Sequence, residues 1–218
     1  MIVAEQKPID EILRTLDGFK NVLIAACGTC VTVCMAGGEK EALKLAALLQ
    51  MRDADMKVSV VTPKRQCDME FVEEILADAA EHDVVLSLGC GAGVQFMSGA
   101  IDNKLILPGL NTKFMGVTQD IGVWAEMCQG CGDCVLEQTG GVCPVTRCSK
   151  SNFNGPCGGS SDGKCEIDTE VDCGWQLIYD RLEALDQLQR LYQISEPKDW
   201  TTSRDGGPRK VHKKEMIL

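Results

Sequence analysis

Residues 128–173 read CQGCGDCVLEQTGGVCPVTRCSKSNFNGPCGGSSDGKCEIDTEVDC, and the second half of the chain is organised around them. This stretch holds eight of the chain's 13 cysteines. Its first three, Cys128, Cys131 and Cys134, are each separated by two residues, with a glycine in each gap. A short loop with this spacing can wrap three thiolates around one iron–sulfur cluster. Zinc sites more often show two well-separated cysteine pairs, so the triplet predicts a 4Fe–4S cluster.

Five later cysteines could complete this site and build another: Cys143, Cys148, Cys157, Cys165 and Cys173. Cys143 is a candidate fourth ligand because Pro144 follows it, as proline follows the last cysteine of many ferredoxin loops. The remaining four cysteines could hold a further cluster or a closed zinc site that pins the loops. Some of them could instead be buried thiols, and the spacing leaves these alternatives open.

The first half of the chain alternates apolar runs with amphipathic segments. The apolar runs predict strands at 21–26, 57–62, 84–88 and 105–107, with a weaker fifth at 114–117. Helical periodicity predicts helices at 8–17, 39–51 and 69–82. Strands that alternate with helices in this way predict an α/β fold with a doubly wound, mostly parallel sheet, similar to flavodoxin or Rossmann domains.

Cysteines follow each of the first three predicted strands: Cys27, Cys30 and Cys34 after the first, Cys67 after the second and Cys90 after the third. The carboxyl ends of neighbouring parallel strands meet at one edge of the sheet, where functional loops lie. We therefore expect four of these five thiols to hold a first iron–sulfur cluster. The triplet supplies three ligands, and Cys90 is favoured over Cys67 as the fourth because glycines flank it.

Other functions of this edge are weaker hypotheses. The loop GCGAGVQ at 89–95 follows a strand but lacks the third glycine of a dinucleotide-binding loop. Arg65, beside Cys67, could serve a flavin or an adjoining subunit. Cys27 and Cys30 could form a redox-active pair, but the nearby Cys34 favours metal ligation.

The pattern divides the chain into four parts: an α/β domain at 1–118, a Cys-rich metal-binding segment at 119–174, a C-terminal helix at 175–194 and a tail at 195–218. The Cys-rich segment has too few apolar residues for a core of its own, so metal is expected to stabilise it. The tail is either a disordered end or an arm that wraps a partner, with Trp200 and the terminal Met-Ile-Leu as apolar anchors.

Composition excludes several classes of function. The net charge is −10 and no basic stripe is present, which argues against nucleic-acid binding. No secretion signal and no apolar run near the ~20 residues of a membrane helix is present, so we expect a cytoplasmic protein. Disulfides are rare in that reducing compartment, and metal binding therefore best explains the cysteines.

Catalytic groups are few. His82 and His212 are the only histidines, and both are expected to be solvated. No hydrolase, zinc-protease or phosphate-loop motif occurs. The chain is therefore expected not to catalyse a reaction by itself.

Several motifs together resemble the methylenetetrahydrofolate reductase C-terminal domain family, from about residue 7 to 185. They are KPIDEIL, ACGTCVTVC, RQCD, GCGAGVQ, CQGCGDC, GGVCPVTRCSK, NGPCGG, GKCE and DCGWQLIYDRL. In particular, the chain resembles the small subunit that acetogen reductases carry as a separate chain. The resemblance implies a hetero-oligomer in which a flavin-bearing TIM-barrel large subunit reduces methylenetetrahydrofolate in the Wood–Ljungdahl pathway. The small subunit would be an accessory that binds iron–sulfur clusters or zinc.

Three hypotheses follow from the residues and the resemblance. In the first, two or more clusters relay electrons from ferredoxin or another electron-transfer protein to the flavin of the large subunit. In the second, the metals are structural and the chain docks the large subunit to other redox proteins. In the third, the flavodoxin-like sheet itself binds a flavin.

Overall fold

The computed structural model describes residues 1–213 and residue 215. The chain divides into two compact units, Met1–Ala125 and Glu126–Leu218. The strands are β1 (Ile2–Gln6), β2 (Asn21–Ala25), β3 (Lys57–Val61), β4 (Val84–Ser87), β5 (Leu105–Pro108), β6 (Leu110–Asp120) and β7 (Val123–Cys128). The α-helices are α1 (Ile9–Thr15), α2 (Cys30–Val33), α3 (Glu39–Arg52), α4 (Met69–Val72), α5 (Leu76–Glu81), α6 (Gly91–Ala100), α7 (Pro144–Arg147) and α8 (Gly174–Ala184).

A four-stranded parallel sheet of order β3-β2-β4-β5 forms the centre of the first unit. Side chains of β2 point alternately to two cores, as the pleat requires. Val22 and Ile24 join the core that includes α1 and α3. Leu23 and Ala25 join the core that includes α4, α5 and α6. Because helices cover both faces of the sheet, the predicted α/β class with a parallel sheet is confirmed.

The predicted fifth strand at 114–117 was assigned to the wrong sheet. These residues lie inside β6, which pairs antiparallel with β1 in a second sheet of order β1-β6-β7. Most side chains of β6 are exposed, so the strand shows little of the apolar run that marks a buried strand. The segment predicted to become irregular from 119 instead continues in β6 and β7 as far as Cys128.

Two predicted helices are interrupted. Residues 69–82 form α4, a 3-10 turn at Glu73–Ile75 and α5 rather than one helix. The C-terminal helix α8 ends at Ala184, and a 3-10 segment follows at Leu188–Tyr192. Between them Asp186 adopts a left-handed conformation (φ 54°), which ends the helical path.

The second unit has little apolar core. Within its described residues, the buried apolar side chains are Pro144, Val145, Ile178 and Leu182. The first unit buries many more in its two cores. Burial of apolar surface is the main favourable term in folding, so the second unit depends on other interactions. In the part of the chain that the structure describes, no helix has the length and apolar character needed to cross a bilayer.

Candidate metal-binding sites

Three strand-end cysteines of the first unit lie near one another. Cys27, Cys67 and Cys90 follow β2, β3 and β4, which are neighbours in the sheet. Burial raises the pKa of the Cys67 thiol, and the charges of Cys90 and then Cys27 raise it further. The three thiols thus follow neighbouring strands and are within the range over which charges act on Cys67. That they share one site stays a prediction.

A buried glutamine that the sequence interpretation missed holds this edge together. The Gln66 side-chain nitrogen donates to the carbonyl oxygens of Ala25 (2.8 Å) and Ala26 (2.9 Å). Its side-chain oxygen accepts from the Ser87 hydroxyl at 2.5 Å. Gln66 therefore ties the loop that bears Cys67 to the ends of β2 and β4. The only sequence signal was an uncharged amide residue beside a candidate ligand.

The glycine at position 89 makes room for this glutamine. A Cβ atom at Gly89 would lie 2.2 Å from the Gln66 side-chain oxygen, and one at Gly93 would lie 2.9 Å from the Gln66 Cβ. Real side chains do not tolerate the first of these approaches. Two of the three glycines of the 89–95 loop, Gly89 and Gly93, are thus explained by packing against Gln66, without a nucleotide.

Replacing Gln66 by alanine is expected to destabilise the first unit by about 3 kcal/mol, because the buried polar groups of Ala25, Ala26 and Ser87 each lose one hydrogen bond. The midpoint of urea unfolding would measure the loss. Gln95→Ala is the matched control: this exposed amide donates to the Gly91 carbonyl, and its loss should cost less than about 0.5 kcal/mol. Equal midpoints for the two variants would contradict the role given to Gln66.

The other two candidate ligands of this edge differ in their surroundings. Cys30 is half-buried at the first position of α2. Cys34 is buried, and its thiol donates to the carbonyl oxygens of Ala4 (3.6 Å) and Val31 (3.7 Å). Because Cys34 already contacts β1, the set Cys27, Cys30, Cys67 and Cys90 fits a shared site better than any set that includes Cys34.

Arg65 and His82 have local structural partners. The Arg65 guanidinium pairs with Asp68 at 3.3 Å and lies 5.1 Å from the centre of the Phe71 ring. The expectation that His82 is solvated was wrong, since it is buried and its ring Nδ1 bonds to the Asp78 carbonyl oxygen at 2.6 Å. Its position at the end of α5 allows this contact with the preceding turn.

In the second unit, the loop from Cys128 to Cys134 is shaped to present thiolates. The Gly130 N–H donates to the Cys128 sulfur at 3.4 Å. Backbone N–H groups that point at sulfur stabilise a thiolate and tune iron–sulfur clusters. The Cys131 thiol bonds to the Asp133 carbonyl oxygen at 3.6 Å, and Cys134 is exposed.

Helix α7 holds Cys143 beside this loop. Cys143 immediately precedes α7. The Thr146 hydroxyl on α7 donates to the Met127 carbonyl oxygen at 3.0 Å, and the Arg147 guanidinium donates to the Met127 sulfur at 3.6 Å. Met127 is the residue before Cys128, so these contacts fix α7 against the start of the cysteine loop. This placement supports Cys143 as the fourth ligand.

Residues 198–209, here named the closing segment, lie on the same loop. The buried Lys198 ammonium donates to the Asp133 carbonyl oxygen, and the Thr202 hydroxyl donates to the Cys131 carbonyl oxygen at 3.0 Å. The Arg209 guanidinium donates to the Gly130 carbonyl oxygen. Trp200 packs edge-to-face on Phe153, with 6.4 Å between ring centres.

The residues predicted as a tail therefore contact the cysteine loop of their own chain, through the closing segment. Wrapping of a partner by the tail stays a prediction. Of the two apolar anchors proposed for it, Trp200 is in place, whereas the terminal Met-Ile-Leu lies outside the described residues.

The remaining cysteines share a different location. Cys148, Cys157, Cys165 and Cys173 all line one small cavity. The pKa of Cys165 is lowered, chiefly because the Ser149 hydroxyl hydrogen-bonds to its sulfur at 3.4 Å, and backbone N–H groups add to the effect. As they stand, no three Cys, His, Asp or Glu side chains among residues 1–213 and 215 are close enough together to hold a metal ion. Metal binding at all of these sites stays a prediction.

Comparison with known proteins supports the resemblance seen in the motifs. Residues 107–201 match the model of the family described as "Methylene-tetrahydrofolate reductase C terminal". The match includes all eight cysteines from Cys128 to Cys173 and the first part of the closing segment. The predicted family is thus confirmed over this segment, which is less than half of the chain. No curated protein and no solved structure matches the chain significantly.

Proposed function

We propose that this chain is an electron-transfer accessory subunit of a methylenetetrahydrofolate reductase complex in the cytoplasm. It would pass electrons from ferredoxin or a similar donor to the flavin of a separate catalytic subunit, the TIM-barrel large subunit implied by the resemblance. The observation that supports this most is the Cys128–Cys134 loop. It has iron–sulfur spacing, an N–H group directed at one sulfur, and Cys143 fixed beside it, all within the segment that matches the family.

Two sets of four cysteines fit clusters. Cys128, Cys131, Cys134 and Cys143 would hold one at the loop. Cys27, Cys30, Cys67 and Cys90 would hold the other at the sheet edge, where three of the four follow neighbouring parallel strands. Bound there, each 4Fe–4S cluster would supply reversible one-electron chemistry at a low potential.

The residues around the Cys128 loop would govern that potential and protect the site. The Gly130 N–H would stabilise negative charge on the Cys128 sulfur, and the cations Lys198 and Arg209 donate to carbonyls of the same loop. Hydrogen bonds to sulfur, nearby positive charge and burial are the means by which proteins tune iron–sulfur centres. The closing segment supplies the nearby positive charge.

The proposal is tested by the iron, sulfide and zinc content of anaerobically purified protein, with EPR spectra of the dithionite-reduced sample. Two clusters predict about eight irons and a similar amount of sulfide per chain, together with a reducible signal. A chain that contains zinc but little iron would overturn the relay and favour the scaffold hypothesis. A flavin absorption spectrum from the isolated chain would instead favour a flavoprotein.

A further inference from the structure

We propose that a basic patch beside the Cys128–Cys134 loop is the docking site for a small acidic electron-transfer protein. The basic patch consists of Arg204, Arg209, Lys210 and Lys213. This inference rests on the proposed relay function and adds to it the place where the electron donor binds.

The sign of the charge changes along the chain. Residues 198–218 contain six basic and three acidic side chains, a net charge of +3, whereas the whole chain has a net charge of −10. Residues 1–197 therefore have a net charge of −13. Basic residues gathered in one segment create a local positive potential on an otherwise negative protein. A negatively charged partner would be attracted to this segment and repelled by the rest of the chain.

The closing segment holds the basic patch at the cysteine loop. The buried Lys198 ammonium pairs with the Asp133 carboxylate of the loop at 3.6 Å. The Arg209 guanidinium donates to the Gly130 carbonyl oxygen of the loop and to the Thr202 carbonyl oxygen of its own segment. Arg209, which belongs to the basic patch, is thus fixed against the loop that would hold a cluster.

Gly132 allows the closing segment to come this close to the loop. Its φ is +88°, and a Cβ atom at this position would lie 2.2 Å from the Thr202 carbonyl oxygen. Any other residue would push the closing segment away. The glycine between Cys131 and Cys134 therefore fits the docking of the closing segment as well as the shape of the loop.

The other cations of the basic patch are available to a partner. Arg204, Lys210 and Lys213 are exposed, and none of them pairs with a carboxylate in the part of the chain that the structure describes. An exposed cation without an internal ion pair keeps its charge for contact with a second molecule. Lys198, in contrast, is buried and already offsets the charge of Asp133.

The composition of the basic patch favours a transient acidic protein as its partner. Lysine is depleted at the centres of stable interfaces, which are apolar and aromatic. Complexes between electron-transfer proteins are small, and complementary charge speeds their formation. A nucleic acid fits less well, because four cations make a short contact and the charge of residues 1–197 would repel the remaining phosphates.

The test measures association of a probe, an acidic two-cluster bacterial ferredoxin, with the full-length chain purified anaerobically. The triple variant R204E/K210E/K213E reverses three exposed charges and leaves the Arg209 contacts in place. At about 20 mM salt, we expect its association rate constant to fall about tenfold or more below the wild-type value. At about 0.5 M salt, where the Debye length is about 4 Å, the two rate constants should agree within about twofold.

A matched control changes the net charge by the same amount at another place. The triple variant K40E/K44E/K57E reverses three exposed lysines of the first unit. Its association rate constant should stay within about threefold of the wild-type value at low salt. An equal fall in both triple variants, or no fall in either, would overturn the docking site.

Iron content distinguishes failure of the docking site from failure of the relay. Both triple variants should keep the wild-type iron content, because neither changes a cysteine. Protein that binds ferredoxin through the basic patch but contains no iron would overturn the relay and not the docking site. Iron-containing protein whose binding does not depend on the basic patch would overturn the docking site and not the relay.

Two results would assign the basic patch to a different partner and so overturn the proposal. One is loss of large-subunit binding in R204E/K210E/K213E, since the patch would then belong to the permanent interface. The other is tighter binding of a single-stranded DNA oligonucleotide than of ferredoxin by the wild-type chain at the same salt concentration.

Discussion

The double variant C128S/C131S is expected to lose electron delivery to the flavin of the large subunit, down to the rate measured without a donor. Both substitutions remove thiolate ligands from one loop, and a cluster that loses two of its four ligands is not retained. The assay follows reduction of methylenetetrahydrofolate by a reduced ferredoxin-like donor in the reconstituted complex.

Further measurements distinguish the loss of electron transfer from the loss of the complex between the two subunits. The double variant should still bind the large subunit, and the large subunit should keep its full flavin content. Cys34→Ser should retain activity, because Cys34 contacts the carbonyls of Ala4 and Val31 rather than the proposed cluster site. Unchanged activity in C128S/C131S would rule out the relay through this loop.

Removal of all metal is expected to unfold residues 128–173 while the parallel sheet stays folded. The second unit buries only Pro144, Val145, Ile178 and Leu182 among its described apolar side chains, whereas the sheet of the first unit has an apolar core on each face. Where metal supplies the folding free energy, its loss removes the structure.

Hydrogen exchange measured by mass spectrometry on the full chain would show this difference. Amides of residues 128–173 should exchange at nearly the unfolded rate after chelation, and amides of β2 and β4 should keep their protection. Uniform loss of protection across both units would contradict the expectation that metal stabilises only the second unit locally.

The parallel sheet and the convergence of its cysteines could be predicted from sequence because buried strands appear as continuous apolar runs. The antiparallel sheet could not be predicted in the same way. Its strand β6 is mostly exposed, and its partner β1 is more than 100 residues away in sequence, so its apolar residues show no clear pattern. Gln66 was missed for a related reason: its role depends on two backbone carbonyls and the Ser87 hydroxyl, which only the fold brings together.

The division of the later cysteines between two places also could not be predicted without the fold. Spacing suggested Cys143 for the first loop but left the next four cysteines unassigned. In the structure, α7 is a single helical turn with Cys143 before it and Cys148 after it. The two cysteines are close in sequence, yet only Cys148 lines the cavity that it shares with Cys157, Cys165 and Cys173.

The closing segment has a consequence for biosynthesis. Lys198, Thr202 and Arg209 contact a loop that is synthesised about 70 residues earlier, so these contacts cannot form until the closing segment has left the ribosome. Cluster-assembly proteins would reach the four cysteines during this interval. Docking of the closing segment on the loop would then be among the last steps of maturation. A chain truncated before residue 198 would lack all three contacts with the loop.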